Sequence, residues 1–119
     1  MPTTGRVLDH PARTDIRLES VLHALSDPAR LHVVRCLAEL PPGEEVACSA
    51  IDLAVTKSTT THHFRVLREA GLISQVYRGT AKMTALRRAD LNALFPGLLD
   101  AVLTADAAQR HRAAARQDG

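Results

Sequence analysis

The chain has 119 residues, 45% of them hydrophobic, which is enough for one globular domain with a core of its own. Aromatic residues make up only 3%, so the core must be aliphatic and no stacking platform for single-stranded nucleic acid is available. Fifteen Lys and Arg against thirteen Asp and Glu leave a net charge of +2, and the two cysteines are too few for a disulfide scaffold. No run approaches the roughly 20 apolar residues that cross a bilayer, and the opening stretch lacks a signal peptide's apolar core. A cytoplasmic protein with no membrane partner is therefore expected.

Residues 1 to 15 mix Pro, Gly, Thr and charges without periodicity and are expected to form a mobile arm. One folded domain is expected over residues 16 to 106, and a frayed polar tail over 107 to 119. Leu18, Val21, Leu22 and Leu25 mark the stripe of a short first helix. Asp27 can cap a second helix and Pro28 suits its first position, where no N–H is needed; Leu31, Val33, Val34, Leu37 and Leu40 carry it to the turn at Pro41-Pro42-Gly43. Ala47 to Leu53 is read as two short helical turns with Ile51 inward, followed by a turn at Ala54, Val55 and Thr56.

Lys57 to Ala70 is the most informative stretch. Thr60, His63, Phe64, Leu67 and Ala70 form one helical stripe, and Lys57, Ser58, Thr61, His62, Arg65 and Arg68 fall opposite. Thr56 is placed to cap this helix and Gly71 to end it. Short hydroxyls and a His flanked by Lys and Arg, with no acid before Glu69, suit a DNA major groove; an ordinary solvated amphipathic helix has the same pattern. Beyond Gly71, two strand-length runs around Arg78-Gly79-Thr80 predict a β-hairpin with Arg78 and Lys82 near its tip, within reach of a phosphate backbone or minor groove. Seven basic residues against one acid lie between Lys57 and Arg88, so the basicity is local. A last helical region carries Leu91, Leu94, Phe95, Leu98, Leu99, Val102 and Leu103, with a kink or restart at Pro96-Gly97. That stripe, with the first helix, exceeds what one small domain can cover and predicts a homodimer in which Leu99, Val102 and Leu103 face Leu18 and Leu22.

Helix, helix, short helix, recognition helix, hairpin, helix is the order of a winged helix-turn-helix, mainly α with a β-hairpin wing and five or six helices. Asp27-Pro28-Ala29-Arg30-Leu31, together with the run Ser58 to Ile73, resembles the ArsR/SmtB-type bacterial transcriptional repressors, and the likeness covers roughly residues 18 to 104. The resemblance implies a dimer joined through its first and last helices, with two recognition helices in successive major grooves of an imperfect palindrome. On that footing Lys57, Ser58, Thr61 and His62 are expected at the major groove of double-stranded operator DNA, with Arg65, Arg78 and Lys82 on the backbone.

The departures from that family bear on the signal. Its metal sensors carry Cys-x-Cys near the third helix, or Asp and His ligands along the last. Here the third-helix region holds the single thiol of Cys48, and Asp90, Asp100, Asp106 and His111 lack the expected pairing. No metal site and no cofactor is expected, and a metal-responsive repressor stands as the alternative. Cys36, beside Arg35, and Cys48, near a helix start, are candidates for redox sensing. No phosphate loop, nucleophile elbow or paired carboxylates point to an enzyme. A winged helix used only as a protein-interaction module is disfavoured by the basic, acid-poor face from Lys57 to Lys82.

Overall fold

The computed structural model describes residues 6–118. They form five α-helices and a four-stranded antiparallel sheet in the order β1-β3-β4-β2. The helices are α1 (Leu18–Leu25), α2 (Pro28–Ala38), α3 (Lys57–Ala70), α4 (Arg88–Leu94) and α5 (Leu98–Asp118). The strands are β1 (Arg6–Val7), β2 (Val46–Ala47), β3 (Ile73–Arg78) and β4 (Ala81–Leu86). This is the winged helix-turn-helix that the sequence predicts, with α3 as the recognition helix and β3–β4 as the wing. The chain divides into two compact units, residues 1–88 and 89–119.

In the first unit the helix boundaries follow from local chemistry. Asp27 is extended (ψ 131°), and its Oδ1 accepts from the backbone N–H of Ala29 at 2.8 Å and of Arg30 at 3.2 Å, starting α2 with Pro28 at its head. Thr56 Oγ1 accepts from Thr59 N at 3.2 Å and starts α3. Gly71 ends it at φ 89°, its N–H bonded to the Leu67 and Arg68 carbonyls. A Cβ on Gly71 would stand 2.5 Å from Cγ1 of the buried Ile16, so backbone conformation and packing both demand glycine there. Phe64, Leu67 and Ala70 of α3 are buried, as are Val21 and Ala24 of α1, Val33, Val34 and Leu37 of α2, and Leu72 and Ile73 beyond the helix. Arg78 pairs with Ala81 around a two-residue Gly79-Thr80 turn, with Gly79 at φ 65°, giving the predicted hairpin.

Residues 46–53 depart from the expected helical turns. Val46 and Ala47 pair with Thr84 and Met83 of β4, and only Cys48–Ala50 turns, as one turn of 3-10 helix. The free edge of β4 supplies backbone partners that a short helix would forgo, and β-branched Val46 suits a strand. Ile51 is buried as expected. Ala54 then takes the left-handed conformation (φ 55°), its N–H bonded to Asp52 Oδ1 at 2.9 Å, and turns the chain into α3.

In the second unit Gly97, at φ 81°, separates α4 from α5, whose axes are bent by 109°. The chain restarts there. α5 continues to Asp118 instead of fraying near residue 106, because its second half is rich in Ala and is supported by an i,i+4 pair, Arg110 Nε to Asp106 Oδ2 at 3.0 Å. Among the described residues no single helix is long and apolar enough to cross a membrane.

The expected mobile arm is tied down where it is described; residues 1–5 lie outside the described residues. β1 pairs with β3, His10 Nε2 accepts the backbone N–H of Gln75 at 2.8 Å, and Arg87 donates to the Pro11 carbonyl at 2.8 Å. These partners lie more than sixty positions away, out of reach of local periodicity. Burial is the main cause that holds the His10 imidazole below its ordinary pKa; the Leu8 hydrogen bond opposes it, the Arg87 and Arg68 charges reinforce it, and Asp9 opposes it least. A histidine depressed in this way binds fewer protons folded than unfolded between its two pKa values. Its contribution to stability is thus whole above the unfolded value and is lost as pH falls through that interval. The thermal midpoint should therefore drop more for the wild type than for His10→Gln between about pH 8 and about pH 5. Equal drops would show that His10 does not couple the arm to protonation.

Candidate nucleic-acid interface

The position of α3 is set from behind by a buried guanidinium. Arg30, 7% exposed, donates through Nε to the Ala24 carbonyl at 2.8 Å and through Nη2 to the His23 carbonyl at 3.4 Å, satisfying the end of α1. Its Nη1 lies 3.2 Å from Nδ1 of His63, itself 8% exposed on the inner face of α3. Arginine only donates, so Nδ1 accepts and the ring proton sits on Nε2, 4.0 Å from Asp27 Oδ1. Partial burial opposes ionisation of Asp27, but the N–H groups of Arg30 and Ala29, with the Arg30 charge, prevail and hold its carboxyl below the usual carboxylate range.

On the opposite side, Lys57, Ser58, Thr61, His62 and Arg65 are all exposed. The Thr61 hydroxyl donates to the Lys57 carbonyl at 3.0 Å, and Arg65 Nη2 lies 3.5 Å from His62 Nδ1. Arg68, read from the sequence as part of this face, turns inward: its Nη1 donates to Gln75 Oε1 at 2.7 Å. Arg87 and Arg88 also bond inward, to the carbonyls of Pro11 and Ala38. Of the seven basic residues between Lys57 and Arg88, the outer surface is thus served by Lys57 and Arg65 on α3 and by Arg78 and Lys82 on the wing. Lys82 Nζ sits 5.5 Å from the Tyr77 ring centroid, a cation–π contact. Arg78 is paired with Glu45 through two hydrogen bonds, at 2.7 and 2.8 Å. Glu45 and Gln75 carry no signal in local sequence, since their partners Arg78 and Cys48 lie far along the chain, and the motif that contains Arg30 does not reveal its partner His63.

A cleft of 230 Å³ separates the first half of α3 from the wing, lined by Cys48, Thr60, Thr61, Phe64, Thr80 and Lys82 among others. Cys48 belongs to a buried polar network: Gln75 Nε2 donates to its Sγ at 3.0 Å and to Thr84 Oγ1 at 3.2 Å, and the thiol and that hydroxyl are 2.8 Å apart. Cys36 Sγ is 3.6 Å from His32 Nε2, one turn earlier on α2. Both thiols are free. Among the described residues no group of three or more His, Cys, Asp or Glu is placed to hold a metal ion.

The five residues assigned to a dimer interface divide. Leu18 and Leu22 are 42% and 45% exposed, one turn apart on α1. Val102 and Leu103 keep part of their surface, whereas Leu99 is 3% exposed within the single chain and has little left to offer a partner.

Residues 25–76, which span α2, the turn, α3 and most of β3, match the profile of a family described as a helix-turn-helix domain. An HTH-type transcriptional regulator of Bacillus subtilis, YceK, is 33% identical over 82 residues, covering 67% of this chain and 80% of the relative. Another, from Methanocaldococcus jannaschii, is 34% identical over 61 residues, covering 50% of this chain and 66% of the relative. The crystal structure of the transcriptional repressor BigR from Xylella fastidiosa superimposes with a TM-score of 0.51 at 23% identity, covering 66% of this chain and 85% of that one.

Proposed function

The chain belongs to the helix-turn-helix transcriptional regulators, and from that membership we propose that it is a cytoplasmic repressor of the ArsR type whose homodimer binds an imperfectly palindromic operator. One observation carries this reading. The exposed face of α3 presents Lys57, Ser58, Thr61, His62 and Arg65 with no acid before Glu69 in the last turn, while Arg30 and the core fix the helix from its other side. Lys57, Ser58, Thr61 and His62 enter the major groove, Arg65 and Lys82 meet phosphates, and Arg78 lies at the wing. A second copy covers Leu18 and Leu22, with Val102 and Leu103 contributing. Cys48, at the cleft behind Thr61, is the candidate for the signal: peroxide converts its thiol to a sulfenic acid with release of water, and an added oxygen disturbs the network with Gln75 and Thr84.

A titration by fluorescence anisotropy tests the DNA contacts, using a duplex selected by the wild type from a randomised library. Thr61→Ala and His62→Ala should each reduce discrimination against other duplexes by about 1–3 kcal/mol. Lys82→Ala should weaken all duplexes alike and flatten the salt dependence by about one unit. A folded variant with Ala at Lys57, Thr61 and His62 together that kept full affinity would refute the assignment.

Sedimentation tests the dimer. A charge in a patch that a partner covers should dissociate it, so Leu22→Glu is expected to run as a folded monomer. If Leu22→Glu still sedimented as a stable dimer, α1 would not be in the interface.

Repeating the titration after mild peroxide tests the signal. Oxidised wild type should release the duplex and Cys48→Ser should hold it. Undiminished binding by protein whose Cys48 is shown by mass spectrometry to be oxidised would end this part of the proposal.

A further inference from the structure

We infer that Glu45 is a positioning residue for recognition, holding Arg78 so that its free edge reads A·T base pairs in the minor groove beside each recognition helix. The inference rests on the DNA-binding reading above and assigns a role to a residue which that reading leaves unused. Glu45 lies in the turn before β2, and Arg78 ends β3, 33 positions later. Arg78 Nε donates to Glu45 Oε1 at 2.7 Å and Arg78 Nη2 to Oε2 at 2.8 Å, a side-on bidentate pair. The Arg78 hydrogen bond, assisted by its charge and opposed only by slight burial, keeps the Glu45 carboxyl below the usual carboxylate range, so the pair is ionised at neutral pH.

Three features make this a brace. First, the pairing uses the Nε edge of a planar group, so the two N–H bonds of Nη1 and the outer one of Nη2 point away from the carboxylate and can still donate. Secondly, Glu45 is followed directly by Val46, which pairs with Thr84 of β4, so the sheet anchors the carboxylate instead of leaving it to follow the arginine. Thirdly, an unbraced arginine at an exposed hairpin tip loses rotamer freedom on binding, and a prior bidentate pair removes part of that cost.

The charge balance then selects the target. Arg78 with Glu45 is neutral as a unit, so it adds little to bulk attraction for phosphates and acts chiefly through directed donors. In the minor groove A·T pairs offer only acceptors, whereas G·C pairs add the guanine amino group, a donor that would oppose those of Arg78. Narrow A·T-rich minor grooves also favour an inserted arginine.

The test uses the full chain and the duplex selected from the randomised library, with the base pairs flanking each half-site changed from A·T to G·C. The wild type should lose at least about fivefold in affinity on that change. Glu45→Gln should lose most of this preference even though it removes a negative charge near DNA, a change that of itself strengthens binding to every duplex. Arg78→Ala should lose the same preference, and the double variant should lose no more than either single one. Arg78 is exposed and Glu45 only partly buried, so Glu45→Gln should keep a thermal midpoint close to that of the wild type. A wild type indifferent to the flanking pairs would overturn the inference. So would a Glu45→Gln protein that binds more tightly with its A·T preference intact, which would make Glu45 a competitor of DNA for Arg78. A wild type that binds no duplex would instead overturn the DNA-binding reading on which the inference rests.

Discussion

The guanidinium of Arg30 is the point on which the first three helices turn. It enters the core carrying a charge and five N–H bonds, and it is tolerable there only because the Ala24 and His23 carbonyls and the His63 ring accept from it. Those carbonyls lie in the last turn of α1, where helical hydrogen bonding runs out, and the imidazole lies on the inward face of α3. One side chain of α2 thus closes off α1 and seats α3. Leaving either end unpaired would strand buried polar groups, at about 1–3 kcal/mol for each. Apolar packing of Phe64 and Leu67 supplies the larger attraction, but it is indifferent to small rotations of a helix, whereas the hydrogen bonds are directional.

A second polar network performs the corresponding task on the sheet side. Gln75, 1% exposed, joins Arg68 of α3, Cys48 of the 3-10 turn, Thr84 of β4 and, through its backbone, His10 of the arm. The recognition helix is therefore gripped on two sides, by Arg30 at His63 and by Gln75 at Arg68. This explains why basic residues close together in sequence serve different purposes. Arg68, Arg87 and Arg88 each donate to an acceptor of the protein itself, and it is the residues left over that define the outward surface.

What could be read from the sequence was what depends on neighbours. The two faces of α3 apart from Arg68, its cap at Thr56 and stop at Gly71, the Asp27-Pro28 start of α2 and the hairpin around Gly79 are fixed within a few positions of themselves, and these stand as expected. The departures are those in which distant segments decide. The strand at Val46 needs the edge of β4, the arm needs β3 and Arg87, and Arg68 lies close enough to the border of its stripe for Gln75 to draw it inward. α5 departs for another reason: polarity predicts fraying, whereas an alanine-rich segment favours the helix through intrinsic propensity. In the candidate site, the exposed residues of α3 were legible from periodicity, and the partners that orient them were not.

The hydroxyl of Thr61 has its hydrogen engaged by the Lys57 carbonyl inside its own helix. What the side chain turns outward is therefore a pair of oxygen lone pairs and a methyl group. Under the proposed docking, a base edge meeting Thr61 has to bring a donor, as the exocyclic amines of adenine and cytosine do, or a methyl for apolar contact, as thymine does. Guanine presents only acceptors along the major groove and would force the hydroxyl to release its backbone bond. A back-bond that looks like routine helix chemistry thus makes the reader lean against one of the four bases at that position.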